Sequence, residues 1–225
     1  MIMVASIHDE NYQELAKLTF EQNKKLYCAR HNYPLIAKVG DFSSDYPIHF
    51  DKMSLILDAF EENQEIIWAY WLDCDALITN LEVRLESIID DNYHIIIATD
   101  WNGLNTGSFL VKNSIEGKNW LKFIYEQRFI ELYQDHPWHE QLAIINHFQE
   151  FSHLFKIVPQ RTFNSYDFDF YQLLSGTDYP RFDKLGTNGQ WKEGDFVVHF
   201  PGLQNNDIIK YIKNYLEKQI KNDKY

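Results

Sequence analysis

Cysteine is nearly missing from this chain: Cys28 and Cys74 are the two among 225 residues. Two thiols make no disulfide framework, and Cys74 lies between two aspartates, where a bridge would be awkward. No apolar run approaches the roughly 20 residues that a membrane-spanning helix needs. The opening MIMVASI is too short for the core of a signal peptide and has no basic flank. No N-x-S/T site occurs. These absences set the expectation of a soluble protein with a cytoplasmic location. Basic residues are also scarce. The 21 Lys and Arg against 33 Asp and Glu leave a formal charge of −12, which argues against nucleic acid, because phosphate binding needs a basic face. An acidic protein still binds a phosphorylated small molecule if a metal ion bridges the two. What is present is a chain 45% hydrophobic and 16% aromatic, enough to build a substantial core. Rings at that frequency suit sugar-binding surfaces, and equally ordinary cores. With no linker and no internal repeat, a single domain over residues 1–225 is expected.

Buried strands and amphipathic helices alternate through the first half. MIMVASI reads as a strand. NYQELAKLTFEQNKKLYCARH reads as a helix, with Tyr12, Leu15, Ala16, Thr19 and Leu26 at helical spacing. YPLIAKV is a second strand. Met53, Ile56, Leu57 and Phe60 recur at i, i+3, i+4 and i+7, predicting another helix. Ile66 to Leu72 shows no polar alternation, as expected of a strand covered on both faces. HIIIATD, GSFLVKN, FKIVP and FVVHF predict further strands. Ile115 to Tyr133 and the segment after Pro137 predict helices. Residues 160–194 are rich in Gly, Asp, Asn and aromatics and predict a long irregular loop, a kind of segment usually functional or mobile. The pattern implies an α/β fold with a largely parallel sheet and helices on both faces. A C-terminal amphipathic helix, about residues 206–222, carries Ile209, Ile212, Leu216 and Ile220 on one face. It reads as a terminal helix docked on the body or as a peripheral membrane contact.

The stretch IIWAYWLDCDALITN runs an apolar strand into Asp73 and Asp75. Ligands of open α/β sheets bind beyond the carboxyl ends of the strands. Two carboxylates so close repel each other unless a cation intervenes. A hard divalent ion, Mg²⁺ or Mn²⁺, takes oxygen ligands and keeps positions open for phosphate oxygens. The physical reading is a D-x-D site for a metal and a nucleotide diphosphate. Phosphatases of the haloacid-dehalogenase type also place D-x-D after an apolar strand, with the first Asp as nucleophile. Their pattern wants Thr or Val where Leu77 stands, and usually lies nearer the N-terminus.

These residues sit within a wider likeness. HFDKMSLILDAF, IIWAYWLDCDALITN, WNGLNTGSFLVKNS, HEQLAI, PQRTFNSY and FVVHFPG occur in order over roughly residues 50–205, and the set resembles glycosyltransferase family 34. That family comprises retaining plant xylosyltransferases, yeast Golgi mannosyltransferases and a fission-yeast galactosyltransferase. The resemblance implies a GT-A fold, a Rossmann-like nucleotide half merged with an acceptor half. It also implies metal ligation by Asp73, Asp75 and His199, Asp73 sharing metal and ribose contacts. His199 taken alone reads as a core histidine at a strand end, and the ligand role comes from the resemblance. Donor contacts fall to Lys52, Asp73, Thr106, Gly107 and Gly202. Asn105, which can offer a donor and an acceptor to sugar hydroxyls, joins Glu140 and Gln141 near the anomeric carbon. Asn105, Thr106 and Gly107 form an expected NTG turn, and for Thr106 the residues themselves favour the plain strand-initiating role. Lys52 either neutralises an aspartate or phosphate or is a solvated helix lysine.

The likeness further implies a nucleotide-sugar donor, UDP- or GDP-linked, a glycan or lipid-linked acceptor, and Mn²⁺ or Mg²⁺ as cofactor. Two positions depart from the plant pattern. Gln204 stands where a lysine for the diphosphate is expected, and His139 replaces an acidic residue. The Golgi anchor and stem have no counterpart here, which again predicts a cytoplasmic form. A lectin-like or scaffold protein on the same fold is the non-catalytic alternative.

Overall fold

The computed structural model describes residues 1–39 and 45–222, with side chains through residue 218. Strand β1 (Ile2–His8) is followed by one long helical passage. It comprises α1 (Gln13–Ala16), a π-helical segment (Lys17–Lys24) and α2 (Lys25–His31). Then come β2 (Leu35–Val39), α3 (Asp51–Glu62), β3 (Trp68–Leu72), β4 (Ala76–Ile78), β5 (Ile95–Thr99) and β6 (Leu104–Lys112). Helices α4 (Ile115–Glu126), α5 (Glu131–Asp135) and α6 (His139–Phe151) lead to β7 (Phe155–Val158). The chain then forms α7 (Phe168–Ser175), β8 (Val197–His199) and α8 (Asn205–Asn222).

Six strands form one sheet in the order β2-β1-β3-β6-β5-β7. Every pairing not involving β6 is parallel, and β6 runs antiparallel between β3 and β5. The expected α/β architecture therefore holds. Strand alternation divides the core in two. Met3, Ala5, Ala69 and Trp71 face α3, α4 and α6 with Met53, Ile56 and Phe60. Ile2, Val4, Trp68 and Tyr70 face the other way, against Tyr27, Phe163 and Phe196.

A second, two-stranded antiparallel sheet pairs β4 with β8. Its register sets Ala76 opposite His199. Ser165 O accepts from His199 N at 2.8 Å, and Asp75 O accepts from Phe200 N at 3.2 Å. This small sheet joins two parts of the chain more than a hundred residues apart.

Four local expectations are corrected. In the first helical passage Leu15, Thr19, Asn23 and Tyr27 are buried, as are Ala16, Phe20, Lys24 and Cys28, whereas Leu26 is exposed. The wide turns of the π segment keep i, i+4 rows on one face, where a 3.6-residue repeat would have rotated Leu26 inward. The predicted helix over 115–133 breaks after α4. Arg128 Nη1 donates to Tyr125 O at 2.8 Å, occupying the carbonyl that the next α-helical turn would need, and the guanidinium lies over the Tyr125 and Phe129 rings. Residues 160–194 contain α7, capped by the Asp167 side chain accepting from Phe170 N and closed by Gly176 at φ +68°. Asn105, Thr106 and Gly107 lie inside β6, where the pairing with β5 skips from Phe109 to Asn105, so the block is a bulge and not a turn.

Helix α8 begins where expected. Ile208 and Ile212 are fully buried, and Ile209 and Leu216 pack beside them against Leu15, Leu77 and Phe200. The described apolar face is thus spent on the body and is not free for a membrane surface. The side chain of Ile220 lies outside the described residues.

Candidate active site

Strand β3 delivers Asp73 at its carboxyl end, and the turn into β4 delivers Asp75. Strand β8 brings His199 beside them. One ligand atom from each of the three lies within 4.8 Å of the others. His199 Nε2 is 3.1 Å from Asp75 Oδ1, and Nδ1 is 2.7 Å from Asn164 Oδ1. Asn164 Oδ1 thus fixes the ring through Nδ1 and leaves Nε2 turned toward the Asp75 carboxylate. Two carboxylates and an imidazole converging on one point offer the donor set of a divalent-cation site. Two oxygen ligands and one imidazole fit Mn²⁺ or Mg²⁺ in type. Burial raises the pKa of the Asp75 carboxyl, but the His199 ring and the buried Lys24 outweigh it and leave the net shift downward.

Lys24, from the π segment, is fully buried and donates to Ala76 O at 2.9 Å, just behind the acid pair. Burial lowers its pKa, and Cys74, Asp75 and Asp73 offset part of that. Asp73 is positioned by Trp71 Nε1, which donates to its Oδ1 at 2.6 Å, and by Lys52 Nζ at 3.4 Å.

Lys52, 3% exposed, projects from the first turn of α3 and pairs with Glu140 Oε1 at 2.7 Å. Burial alone would lower its pKa; Asp73 and Glu140 reverse this and the net shift is upward. Glu140 mirrors it: burial raises its pKa, Lys52, His49 and Thr106 lower it, and the net shift is downward. Thr106 Oγ1 donates to Glu140 Oε1 at 2.8 Å, and Thr106 N donates to Gln141 Oε1 at 3.3 Å. The bulge in β6 is thereby tied to the start of α6. His139, opening α6 at φ +35°, lies in a conformation unusual for a side chain with Cβ and stacks on His49, ring centroids 4.5 Å apart.

Asn105 Nδ2 donates to Asp100 Oδ2 at 3.0 Å and to Tyr166 Oη at 2.8 Å, while its Oδ1 accepts from Gly107 N. Both amide hydrogens are committed inside the protein. Asp100, Tyr166 and Asn164 were not singled out from the sequence. Asp100 ends the apolar run IIIAT as Asp73 ends WAYWL, and that parallel is the signal that could have found it. Asn164 and Tyr166 stand in a loop with no periodicity to mark them.

Gly107 makes room for the imidazole. A Cβ there would fall 2.1 Å from His199 Cε1. Gly202 follows the HFP stretch at φ +77°, in open space where the backbone angle and not crowding favours glycine. Gln204 lies at the start of α8, its carbonyl accepting from Asp207 and Ile208.

All ten residues singled out from the sequence line one cavity of about 440 Å³. A second of about 330 Å³, lined also by His8, Asp9 and Ile48, shares Tyr12, His49, Lys52, Asp73 and Asp75 with it. The acid pair therefore stands between two adjoining hollows.

The profile of the galactosyl transferase GMA12/MNN10 family matches residues 1–92 and 88–208. The chain belongs to this family. Among its curated relatives, an alpha-1,2-galactosyltransferase of Schizosaccharomyces pombe is 27% identical, over 89% of this chain and 58% of its own length. A probable alpha-1,6-mannosyltransferase, MNN10 of Saccharomyces cerevisiae, is 28% identical over 52% of this chain and 42% of its own. This GMA12/MNN10-family chain spans about three-fifths of the length of the first of these relatives. Its fold is that of the GT-A glycosyltransferases. A solved glycosyltransferase involved in glycosylation of the major capsid of PBCV-1 superposes with a TM-score of 0.72 at 15% identity, covering 94% of this chain and 99% of that one. The galactosyltransferase LgtC, solved with donor and acceptor sugar analogues, gives 0.57 at 15% identity, covering 96% and 94%. Membership of the GMA12/MNN10 family sets the phosphatase alternative aside. Among the described residues, no helix is long and apolar enough to cross a membrane.

Two predictions follow from the imidazole's seat. Gly107→Ala is expected to displace the His199 ring, at a cost of about 1–3 kcal/mol in stability for the overpacking, and to remove Mn²⁺-dependent nucleotide binding measured by calorimetry. Asn164→Ala is expected to weaken metal affinity about 10–100-fold, whereas Asn164→Asp, which keeps an acceptor at Nδ1, retains most of it.

Proposed function

We propose that the chain is a retaining, metal-dependent glycosyltransferase that moves a sugar from a UDP- or GDP-sugar to a hydroxyl of a glycan or lipid-linked acceptor. The observation that carries this reading is the convergence of Asp73, Asp75 and His199 at the junction of two cavities. The names of the relatives support it, since they are hexosyl- and pentosyltransferases.

The nucleoside belongs in the smaller hollow beside His8 and Tyr12, the sugar in the larger one, and the diphosphate between them. A bound Mn²⁺ or Mg²⁺ supplies Lewis-acid neutralisation of the leaving diphosphate. Lys52 pairs with Glu140 and Asp73 and places positive charge behind the site. Gln141 holds the sugar hydroxyls, and Asn105 and Asp100, committed to each other and to Tyr166, brace the wall beside them. The bond from the anomeric carbon to the phosphate oxygen breaks, the acceptor oxygen takes that carbon on the same face, and its proton passes to the leaving phosphate. Same-face attack is favoured over a covalent intermediate because Glu140 is 3% exposed and accepts from both Lys52 and Thr106. Such a carboxylate has poor access to the roughly 3–3.5 Å approach that a nucleophile needs.

Calorimetry with UDP and GDP, with and without Mn²⁺, tests the reading, followed by nucleotide-sugar hydrolysis before and after EDTA. One nucleotide is expected to bind at least about tenfold tighter with the metal, 1.4 kcal/mol, and hydrolysis to stop on chelation. Binding of neither nucleotide, or hydrolysis indifferent to EDTA, would overturn it. A cytoplasmic setting is part of the same proposal, and fractionation of the source cells tests it.

A further inference from the structure

We propose that Trp101 and Trp138 form a platform at the mouth of the larger cavity for a neutral oligosaccharide acceptor. The inference rests on the glycosyltransferase reading above and narrows its acceptor class.

Three of the six tryptophans, Trp68, Trp71 and Trp120, are at most 2% exposed. Trp101 and Trp138 instead stand 36% and 38% exposed, and both line the cavity that holds the acids. An indole left in water forgoes the burial that its area would otherwise gain. Two of them at one opening are informative where a single exposed ring would not be. Their places in the chain explain the aim. Trp101 directly follows Asp100, and Trp138 precedes Glu140 by two residues, so each ring flanks a carboxylate of the sugar cavity.

Trp138 is held in place before any ligand arrives. Its backbone N–H donates to His136 Nδ1 at 3.1 Å, and the His136 ring meets the indole edge-on with centroids 5.2 Å apart. A ring ordered in advance loses little freedom when a ligand stacks on it. Tyr171 and Tyr179, from α7 and the segment after it, also line this cavity, and their rings meet edge-on at 5.6 Å. The flat C–H face of a pyranose lies well on such aromatic faces, whose negative quadrupole attracts the weakly positive hydrogens. Neighbouring Asn102 offers an amide to the hydroxyls.

Charge decides between the acceptor classes. The cavity is lined by the carboxylates of Asp73, Asp75, Asp100 and Glu140. Among its described lining residues the one lysine is Lys52, buried and already paired with Glu140 and Asp73. No arginine lines it, and the metal proposed above is taken up by the donor's diphosphate, so no lining cation is left for the phosphate of a lipid-linked acceptor or the acid of a uronic residue. An uncharged glycan fits this mouth and an anionic one does not.

The experiment uses the whole chain with whichever nucleotide-sugar it hydrolyses. Lactose, cellotetraose and α-mannotetraose serve as neutral probes, and a polyprenyl-phosphate-linked sugar as the anionic one. The readout is the partition of donor between transfer to probe and hydrolysis by water, a ratio that a loss of folded protein does not change. At least one neutral probe is expected to take the sugar. Trp101→Ala and Trp138→Ala should each lower the partition ratio about tenfold through a raised acceptor KM, and Phe at either position should restore most of it. Transfer to the anionic probe alone, sugar release left at the water rate by every neutral probe, or ratios unchanged in both Ala variants would overturn the platform while leaving the donor chemistry standing. Absence of donor hydrolysis in the unsubstituted protein would instead sink the enzyme reading itself.

Discussion

Asp75→Ala is expected to cut metal-dependent donor hydrolysis and transfer by at least on the order of 10³-fold, the scale at which loss of a group stabilising developing charge is felt. Asp75 is the acid that faces both His199 and the cavity, and its charge is what a divalent ion at this site would meet. The fold should persist. The Asp75 side chain is 19% exposed and pairs with the His199 ring, and that ring stays held through Nδ1 by Asn164 when the carboxylate is removed. Two measurements check this together: Mn²⁺-dependent UDP or GDP binding should vanish by calorimetry, while the thermal midpoint should stay within a few degrees. Full activity in the variant would mean that the acid pair does not hold the metal.

Lys52→Met is expected to act on stability, by about 3–5 kcal/mol, the cost of leaving a buried charge without its partner. That is a large part of the 5–15 kcal/mol that holds a typical domain together. Glu140 is the reason. It is 3% exposed and its pair with Lys52 is 2.7 Å long. The sign follows from linkage. The Glu140 carboxyl titrates below its ordinary value in the folded protein. Its contribution is therefore present above the unfolded value of about 4.3 and is lost as pH falls through the lower folded one. Lys52 titrates above its ordinary value, so its contribution holds below about 10.4 and is lost as pH rises through the folded one. The loss in Lys52→Met should accordingly be full at pH 7 and shrink toward pH 4, where Glu140 can protonate. The double variant Lys52→Met/Glu140→Gln should recover most of the stability, because it removes both charges and keeps the hydrogen bond from Thr106. Urea melts of the three proteins at the two pH values check the pattern. A loss independent of pH would show that packing and not charge is at stake.

The legible parts of this chain share one property: their signal is local. β3 announces itself as an apolar run, and two acids beyond it mark the sheet rim. The spacing of Met53, Ile56, Leu57 and Phe60 predicts a helix whose face is buried as expected. α7 was missed although its capping Asp167 and its closing Gly176 are both readable, because aromatic and Gly/Asp composition outweighed the caps. Leu26 was misplaced because an i, i+3, i+4 count assumes a turn of constant width, and a π segment changes that width. The NTG block reads as a turn on composition alone. The structure makes it a bulge in which Gly107 O accepts from Asp73 N while Thr106 reaches Gln141 through its N–H and Glu140 through its hydroxyl.

From residues alone came the alternation of buried strands and helices, the acid pair at a strand end, the scarcity of basic charge and the ordered blocks of a sugar-transferring family. Folding in three dimensions decided which distant groups meet. It paired Asp75 with His199 across 124 residues, set Lys52 against Glu140, joined Asp100 to Asn105 and Tyr166, and left two indoles in water beside them. The reason is physical. Periodicity records which face of an element is buried, whereas the partner of a buried charge is fixed by sheet order and by the requirement that no charge be buried alone.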